Sequence, residues 1–509
     1  MPTFAPATEG QVWTAAEGRS RAIMRHTTLN SIVLSLFICA VVQFTASSLA
    51  RPATAGTVIV TAFGAKGDGI TDDYNALKAA AKYLCSHPGL TLEFPQGTYH
   101  ISEYRIDGGP NANGVTDIIY DGCSNVKIIG VGAKIDVNGS FHRSFDYTAG
   151  GGYHYSYTNG VIPFNFQNSS GFTVEGFELN GNVDKTTRDP GVAEGNTGGI
   201  WTGNCHNYTI SGVYVHHFAM DGLYLGSGLN SKADTNGKLN QVTSTNNARQ
   251  GLSIIQVRGL QVLNSVFSNT GRTGGSYGNH APSDGADVEP NAVPPTVDLE
   301  TGGILFQNCI FEDNLGVQLA CDMPQGVDSI DVEGSLFEAE SADDYTIAFC
   351  LMPASGTVNN CTFNVSNPRC VLLTGVSGTN PANLPYFKQM VFSNNVFNVQ
   401  DNAGVLSDPG VPKINVDFTD NRINVFAPGP DKTYLKLRNL ALVQGNTIYV
   451  DAKGYSGAPN GAQYVLLYDG SLDISGNKYE TDLCGAAKYL IFYPPQGIAT
   501  DEMWSENFN

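Results

Sequence analysis

Charge is scarce in this 509-residue chain: Asp, Glu, Lys and Arg together make up 15%, against roughly a quarter in ordinary globular proteins. What charge there is leans acidic, with 28 Lys and Arg against 47 Asp and Glu and a net charge of −19. That balance excludes a broad basic face for nucleic acid. It also weighs against a polyanionic substrate unless a local basic cleft overrides the total. Disorder usually comes with few aromatics, and 23 Tyr and 25 Phe argue against it. Long apolar runs are missing too. The run Ile32–Val42 is too short to span a bilayer. It follows Arg25 and His26 and precedes Ser48-Leu49-Ala50 and Ala53-Thr54-Ala55, the pattern of a signal peptide with two cleavage options. Residues 1–55 therefore read as a leader, and the mature protein is expected to be secreted or periplasmic, without membrane attachment. Whether residues 1–23 are translated stays open. Cysteine is sparse: ten in all, nine once Cys39 leaves with the leader. No Cys-x-x-Cys spacing is present, so no metal site is expected. Cys309, Cys361 and Cys370 sit in apolar strand-like stretches and read as buried thiols, with the disulfide pattern left open.

What is abundant is glycine, 58 residues, together with a recurring phrase. From about Ser170 an alternating apolar strand, an Asn or Gly, and another apolar pair repeat along the chain. Examples are Val262-Leu-Asn264-Ser-Val-Phe267, Leu305-Phe-Gln-Asn308-Cys-Ile-Phe311 and Val358-Asn-Asn360-Cys-Thr-Phe363. Further copies centre on Gly334, Asn395, Asn421, Asn446 and Asn477, mostly 25 or 26 residues apart. The period-2 alternation excludes a helical repeat. Three short strands and three turns per coil fill the period, and stacked copies should align the Asn residues into a hydrogen-bonded ladder. A second strand repeats in register, beginning at Gly199, Gly222, Gly251, Gly285 and Gly316.

The segment before the repeats carries Phe63-Gly-Ala-Lys-Gly-Asp-Gly69, then Thr71-Asp72-Asp73, a helical stretch Tyr74–Tyr83, and Phe94-Pro-Gln-Gly-Thr-Tyr99. This resembles the opening of the pectate-lyase-like superfamily, which includes polygalacturonases, rhamnogalacturonases, mannuronan epimerases and phage tailspikes. The resemblance implies an all-β, single-stranded right-handed parallel β-helix over residues 57–509. It would have an N-terminal cap at 57–100 containing a short helix capped by Asp72 and Asp73, and a C-terminal tail at 489–509 covering the last coil. It does not fix the chemistry. The Asn-Thr-Asp, Asp-Asp and Gly-His-Gly series of polygalacturonases is absent, and the Asp-Pro-His signature of mannuronan epimerases is replaced by Gly222-Leu-Tyr-Leu.

Side chains on the Gly-led strands should alternate between core and exterior. Position three then faces out and reads Trp201, Tyr224, Ser253, Asp287 and Gln318 on successive coils, with positions five and seven outside as well. Two aromatics leading into polar and acidic groups is the composition of a sugar groove. Asp287 and Glu289 share one face with Cβ atoms ~6.5–7 Å apart, a paired-acid spacing suited to glycoside hydrolysis. Asp221, Gln250 and Asp284 form a column in the preceding turn; Asp221 and Asp284 are reserve acids, although Asp-Gly is also a common turn pair. Arg249 enters the same face as an orienting cation. His280, in a Gly-rich insertion with Tyr277, is a binding or proton-carrying residue of a wall or lid. His216-His217 is read as a turn pair outside the site.

The leading expectation is a glycoside hydrolase acting on a polysaccharide through Asp287 and Glu289, with no cofactor. Asp284 and Asp221 stand in reserve; Trp201, Tyr224, Arg249, Gln250, His280 and Gln318 bind substrate. A second expectation is a polysaccharide lyase, with Arg249 or His280 as base and Ca2+ held by the acids. A third is a non-catalytic adhesin or tailspike-like helix. Sugar identity, endo or exo action and oligomeric state are open.

Overall fold

The computed structural model describes residues 56–104, 117–148, 154–188, 195–226, 232–273, 282–289, 301–322, 327–339, 345–350, 354–365, 369–374, 389–400, 406–407, 416–426, 433–438, 440–451, 464–469 and 473–481. The expected leader 1–55, the insertion bearing Tyr277 and His280, and the tail 489–509 lie outside the described residues.

Each coil contributes one strand to a twelve-stranded sheet and two to a 26-stranded sheet that bends into two faces. Ile200–Gly203, Thr209–Ser211 and Tyr214–His216 make one such coil. Neighbouring coils pair in parallel on every face. With the right-handed crossover that parallel strands require, the chain is a right-handed parallel β-helix. One α-helix, Tyr74–Cys85, is present among the described residues and sits at the N-terminal end.

The alternation predicted from sequence places Leu223, Leu225, Leu252, Ile254, Ala286 and Val288 in the core, each 0% exposed. Inside another face, Phe311, Phe337, Phe363 and Phe397 stack ring on ring with centroids 4.6–4.8 Å apart. That matches the strand spacing of ~4.8 Å, so one aromatic per coil yields a continuous stack without adjustment.

The turns hold two Asn columns where the sequence reading saw one. The outer column takes left-handed backbone, at Asn264, Asn308, Gly334, Asn360, Asn394 and Asp420. These are the residue types that tolerate positive φ. The inner column, one residue later, is buried. There Asn395, Asn421, Asn446 and Asn477 form the expected ladder, each amide nitrogen donating to the next Oδ1 at 3.0, 3.1 and 2.9 Å. Asn395 therefore aligns with Cys361, and Asn394 with Asn360, correcting the one-column register. In earlier coils Cys309 and Cys361 occupy the inner position as free buried thiols. Their Sγ atoms face the Val262 and Val332 carbonyls, and burial pushes both thiols up to about 12. The side chain of Cys370 lies outside the described residues.

At the cap, Asp72 does cap the helix, its Oδ1 accepting from Tyr74 N at 2.9 Å. Asp73 does not. Although it occupies the N-cap position, its carboxylate accepts from Lys66 N at 2.6 Å and Gly67 N at 3.1 Å. It braces the Gly-rich turn, so the buried Asp73 carboxylate is satisfied by these two amides. A disulfide, Cys85–Cys123, ties the end of the helix to the first coil.

Candidate functional site

The outward side of the twelve-stranded sheet is read directly from its register. Ile119 pairs with Asn165, Asn165 with Trp201, Trp201 with Tyr224, Tyr224 with Ser253, and Ser253 with Asp287. Four of the five expected ridge residues are thus in line. Gln318 is not: Asp287 pairs with Ala320. Gln318 aligns instead with Gly285, is fully buried, and accepts from the Asn314 side chain at 2.7 Å. Gly316 is therefore not the fifth glycine of the column. The aligned glycines are required where a Cβ would meet the next coil's backbone oxygen, 2.5 Å away at Gly199 and 2.4 Å at Gly251. Gly316 answers a different crowding, 2.1 Å from the Pro282 carbonyl. Position seven also departs from expectation. Cys205 and Val257 are inside, because the chain has already turned there.

Trp201 and Tyr224 are half-buried neighbours with ring centroids 4.9 Å apart and planes tilted by 32°. Burial raises the Tyr224 phenol to about 12, and the negative charges of Asp221 and Glu289 add to the effect while Arg249 opposes it. Glu289 therefore lies within electrostatic reach of this platform. Its own amide continues the sheet, donating to Ile254 O at 2.9 Å.

Beside the platform runs a buried polar chain. Arg249 grips Asp221 with two parallel bonds, Nε to Oδ1 at 2.8 Å and Nη2 to Oδ2 at 2.6 Å. Ser253 Oγ reaches Asp221 Oδ2 at 3.0 Å and also contacts Gln250 Oε1. Gln250 Nε2 donates to Asp287 Oδ2 at 2.7 Å. Asp221, Ser253, Gln250 and Asp287 are all at most 2% exposed. One connected set of hydrogen bonds thus fixes Asp287, and a bidentate guanidinium neutralises Asp221.

These contacts sort the expected residues. Arg249 is expected as an orienting cation, and its partner in the structure is Asp221; a guanidinium keeps its protons and cannot act as a base. Asp221 has both oxygens engaged and serves to hold the network. Asp284 accepts from Val317 N at 2.7 Å, a bond to the next coil rather than within its own turn. Arg272, at the start of the insertion, donates to the Asp313 carbonyl at 2.5 Å. His280 lies outside the described residues. Among the described residues, no group of three or more His, Cys, Asp or Glu is arranged to hold a metal ion.

Sequence reasoning missed Asn165 and Asp117 on the same outward side, one and two coils before Trp201. Asp117 accepts from Asn165 Nδ2, and burial pushes its carboxyl up to about 6 against that bond. The signal lay in Phe164-Asn-Phe-Gln167, a polar residue between two core aromatics, but it precedes the Gly-led strands.

A curated relative, alginate lyase 7 of Azotobacter vinelandii, is 32% identical over 141 residues, 28% of this chain; the match spans 14% of that relative's length. Among solved structures, the A-module of an Azotobacter vinelandii mannuronan C-5 epimerase superposes with a TM-score of 0.51 at 16% identity, over 86% of this chain and 98% of the module. The Agl-KA catalytic domain superposes at 0.50 and 15% identity, over 87% of this chain and 69% of that one. The two structural likenesses agree on the right-handed parallel β-helix. No family model matches the chain.

Proposed function

We propose that this protein cleaves a polysaccharide laid along the outward side of the twelve-stranded sheet, with Asp287 and Glu289 as the acid pair. The observation that carries this is the buried chain Arg249–Asp221–Ser253–Gln250–Asp287 ending beside the Trp201–Tyr224 platform. Aromatic faces stack on sugar rings. A carboxyl fixed from below by Gln250 is held in one orientation toward whatever lies on the sheet, which is what general acid or base catalysis needs. Glu289, two residues on and half-buried, supplies the second carboxyl. Asp221 and Arg249 are positioning residues.

The stretch similar to an alginate lyase supports a second reading, β-elimination on a uronate-containing polymer. Arg249 would then offset the charge of the substrate carboxylate, and a cation bound with the substrate would show as inhibition by a chelator. The leader in the sequence supports action outside the cytoplasm. Among the described residues no helix is long and apolar enough to cross a membrane.

A panel of polysaccharides, followed at once for new reducing ends and for ultraviolet absorbance of unsaturated sugars, separates the readings. Reducing ends without absorbance support hydrolysis; rising absorbance supports elimination; affinity without product would leave a binding helix. Under the first reading, Asp287→Asn and Glu289→Gln should each lower turnover at least about a hundredfold while leaving thermal unfolding near that of the parent. Full activity in both variants would remove the pair from the mechanism.

A further inference from the structure

Ser253 stands in the middle of the buried chain with one proton for two acceptors. Its Oγ meets Asp221 Oδ2 at 3.0 Å and also meets Gln250 Oε1. A serine hydroxyl carries a single hydrogen, while an ionised carboxylate and an amide oxygen carry none. With Gln250 Nε2 donating to Asp287 Oδ2 at 2.7 Å, one of the two contacts at Ser253 sets oxygen against oxygen with no hydrogen between them. Ser253 and Gln250 are both buried, and buried polar groups are as a rule paired.

A side-chain amide keeps its outline when it is turned end for end. With Gln250 turned, Nε2 donates to Ser253 Oγ, and the Ser253 hydroxyl gives its hydrogen to Asp221 Oδ2. Arg249 continues to donate to both oxygens of Asp221. Every contact in the chain then holds one hydrogen, on one condition. Gln250 Oε1 now faces Asp287 Oδ2 across the same 2.7 Å, an ordinary O–H···O length, and the hydrogen between them has to come from Asp287.

Charge points the same way. The Arg249 guanidinium is committed to Asp221, and burial disfavours the anionic form of Asp287. The titratable and charged groups around Asp287 begin with Asp284 and Glu289 on its own coil. Asp221, Tyr224 and Arg249 belong to the two preceding coils. On the following coil Asp322 lies two residues past Ala320, the strand partner of Asp287. Carboxyl groups outnumber cations in that set, and like charges favour a proton on one of them.

We propose that Asp287 carries the proton of the acid pair at neutral pH, held against Gln250 Oε1, and that Gln250 turns its nitrogen to Asp287 whenever that proton leaves. The carboxyl thus keeps its partner in both forms, and Gln250 and Ser253 are positioning residues. The catalytic meaning rests on the cleavage reading, in which Asp287 brings the proton and Glu289 the negative charge.

Infrared difference spectra of the full chain against Asp287→Asn, recorded across pH without substrate, test the assignment. At neutral pH the parent should show the C=O stretch of a protonated carboxyl that Asp287→Asn lacks; Asp117 and Asp234 are common to both and cancel. Ser253→Ala removes the competition for one hydrogen and is linked to Asp287 through Gln250. It should lower the pH at which the band fades by about one unit or more, and Ser253→Thr, which keeps the hydroxyl, should restore the parent value. Gln250→Met, close in volume, should move the band to higher frequency, because the carboxyl loses an acceptor. Circular dichroism checks the fold of each variant, and Gln250→Met decides alone if Ser253→Ala does not fold. In cleavage assays the alkaline limb of kcat/KM, which reports the essential acid of the free enzyme, should follow the same shifts. Absence of an Asp287-dependent band at neutral pH, or a band that neither Ser253→Ala nor Gln250→Met moves, overturns the assignment even if polysaccharide is cleaved. A band that behaves as expected in a protein that cleaves nothing leaves the assignment standing and removes the cleavage reading.

Discussion

Arg249→Met would strand Asp221, a carboxylate with no exposure to solvent. Breaking a buried pair from one side typically costs about 3–5 kcal/mol, and the value here should fall toward the lower end because the Arg249 side chain is 24% exposed. Urea unfolding should show it as a reduced midpoint. Asp221→Asn with Arg249→Met, which removes both charges, should recover part of the loss. Equal stability in the single and double variants would mean that the pair does not hold the site together. The same residues show how far sequence reached at this scale. Asp221 and Arg249 were legible as polar groups at the starts of two successive Gly-led strands. That they grip each other, leaving Asp287 to Gln250, depends on side-chain geometry that no spacing encodes.

On the opposite side of the coils, parallel strands bring together a second titratable cluster that the sequence presented only as a turn. His217 is indeed in left-handed backbone, at φ 58°. Yet His216 Nδ1 lies 2.7 Å from His217 Nδ1, His216 Nε2 lies 3.3 Å from Glu178 Oε1, and His217 Nε2 lies 3.3 Å from Asp184 Oδ2. Burial, then the neighbouring His217, pushes His216 down to about 4; burial also lowers His217. A histidine whose folded value lies below its unfolded one takes up protons more readily when unfolded. Its contribution to stability is therefore complete above about pH 6.5 and is lost as pH falls toward about 4. Melting temperatures across that window should drop less steeply in His216→Gln than in the parent. Parallel profiles would show that the imidazole does not govern this acid sensitivity. Asp117 and Asp234, both raised to about 6 by burial, act in the opposite direction but are common to the two proteins, so the comparison isolates the histidine.

Across the whole molecule, each coil touches only its neighbours, so stability is a sum of local interfaces and the ends are the places where opening begins. The N-terminal end is closed by the helix and by the disulfide Cys85–Cys123, which spans 38 residues. The chain-entropy model assigns a cross-link of that length about 4 kcal/mol. Cys85→Ser with Cys123→Ser should lower the unfolding temperature and, by hydrogen exchange, release the helix Tyr74–Cys85 before the later coils. Uniform loss of protection along the chain would show instead that the β-helix opens as one unit. The sequence by itself determined the repeat, the inward Leu and Ile positions, the Asn ladder and the ridge from Trp201 to Asp287, because strand alternation and coil period are local and recur. It could not settle that Gly316 lies outside the column, because Gly285 and Gly316 both satisfy close approaches and only the paired strands, which align Gly285 with Gln318, tell them apart. Nor could it bring Asp117 to Asn165, Arg249 to Asp221 or Cys85 to Cys123. Those partners lie 28 to 48 residues apart, on different coils, and meet only when stacking brings each coil within ~4.8 Å of the next.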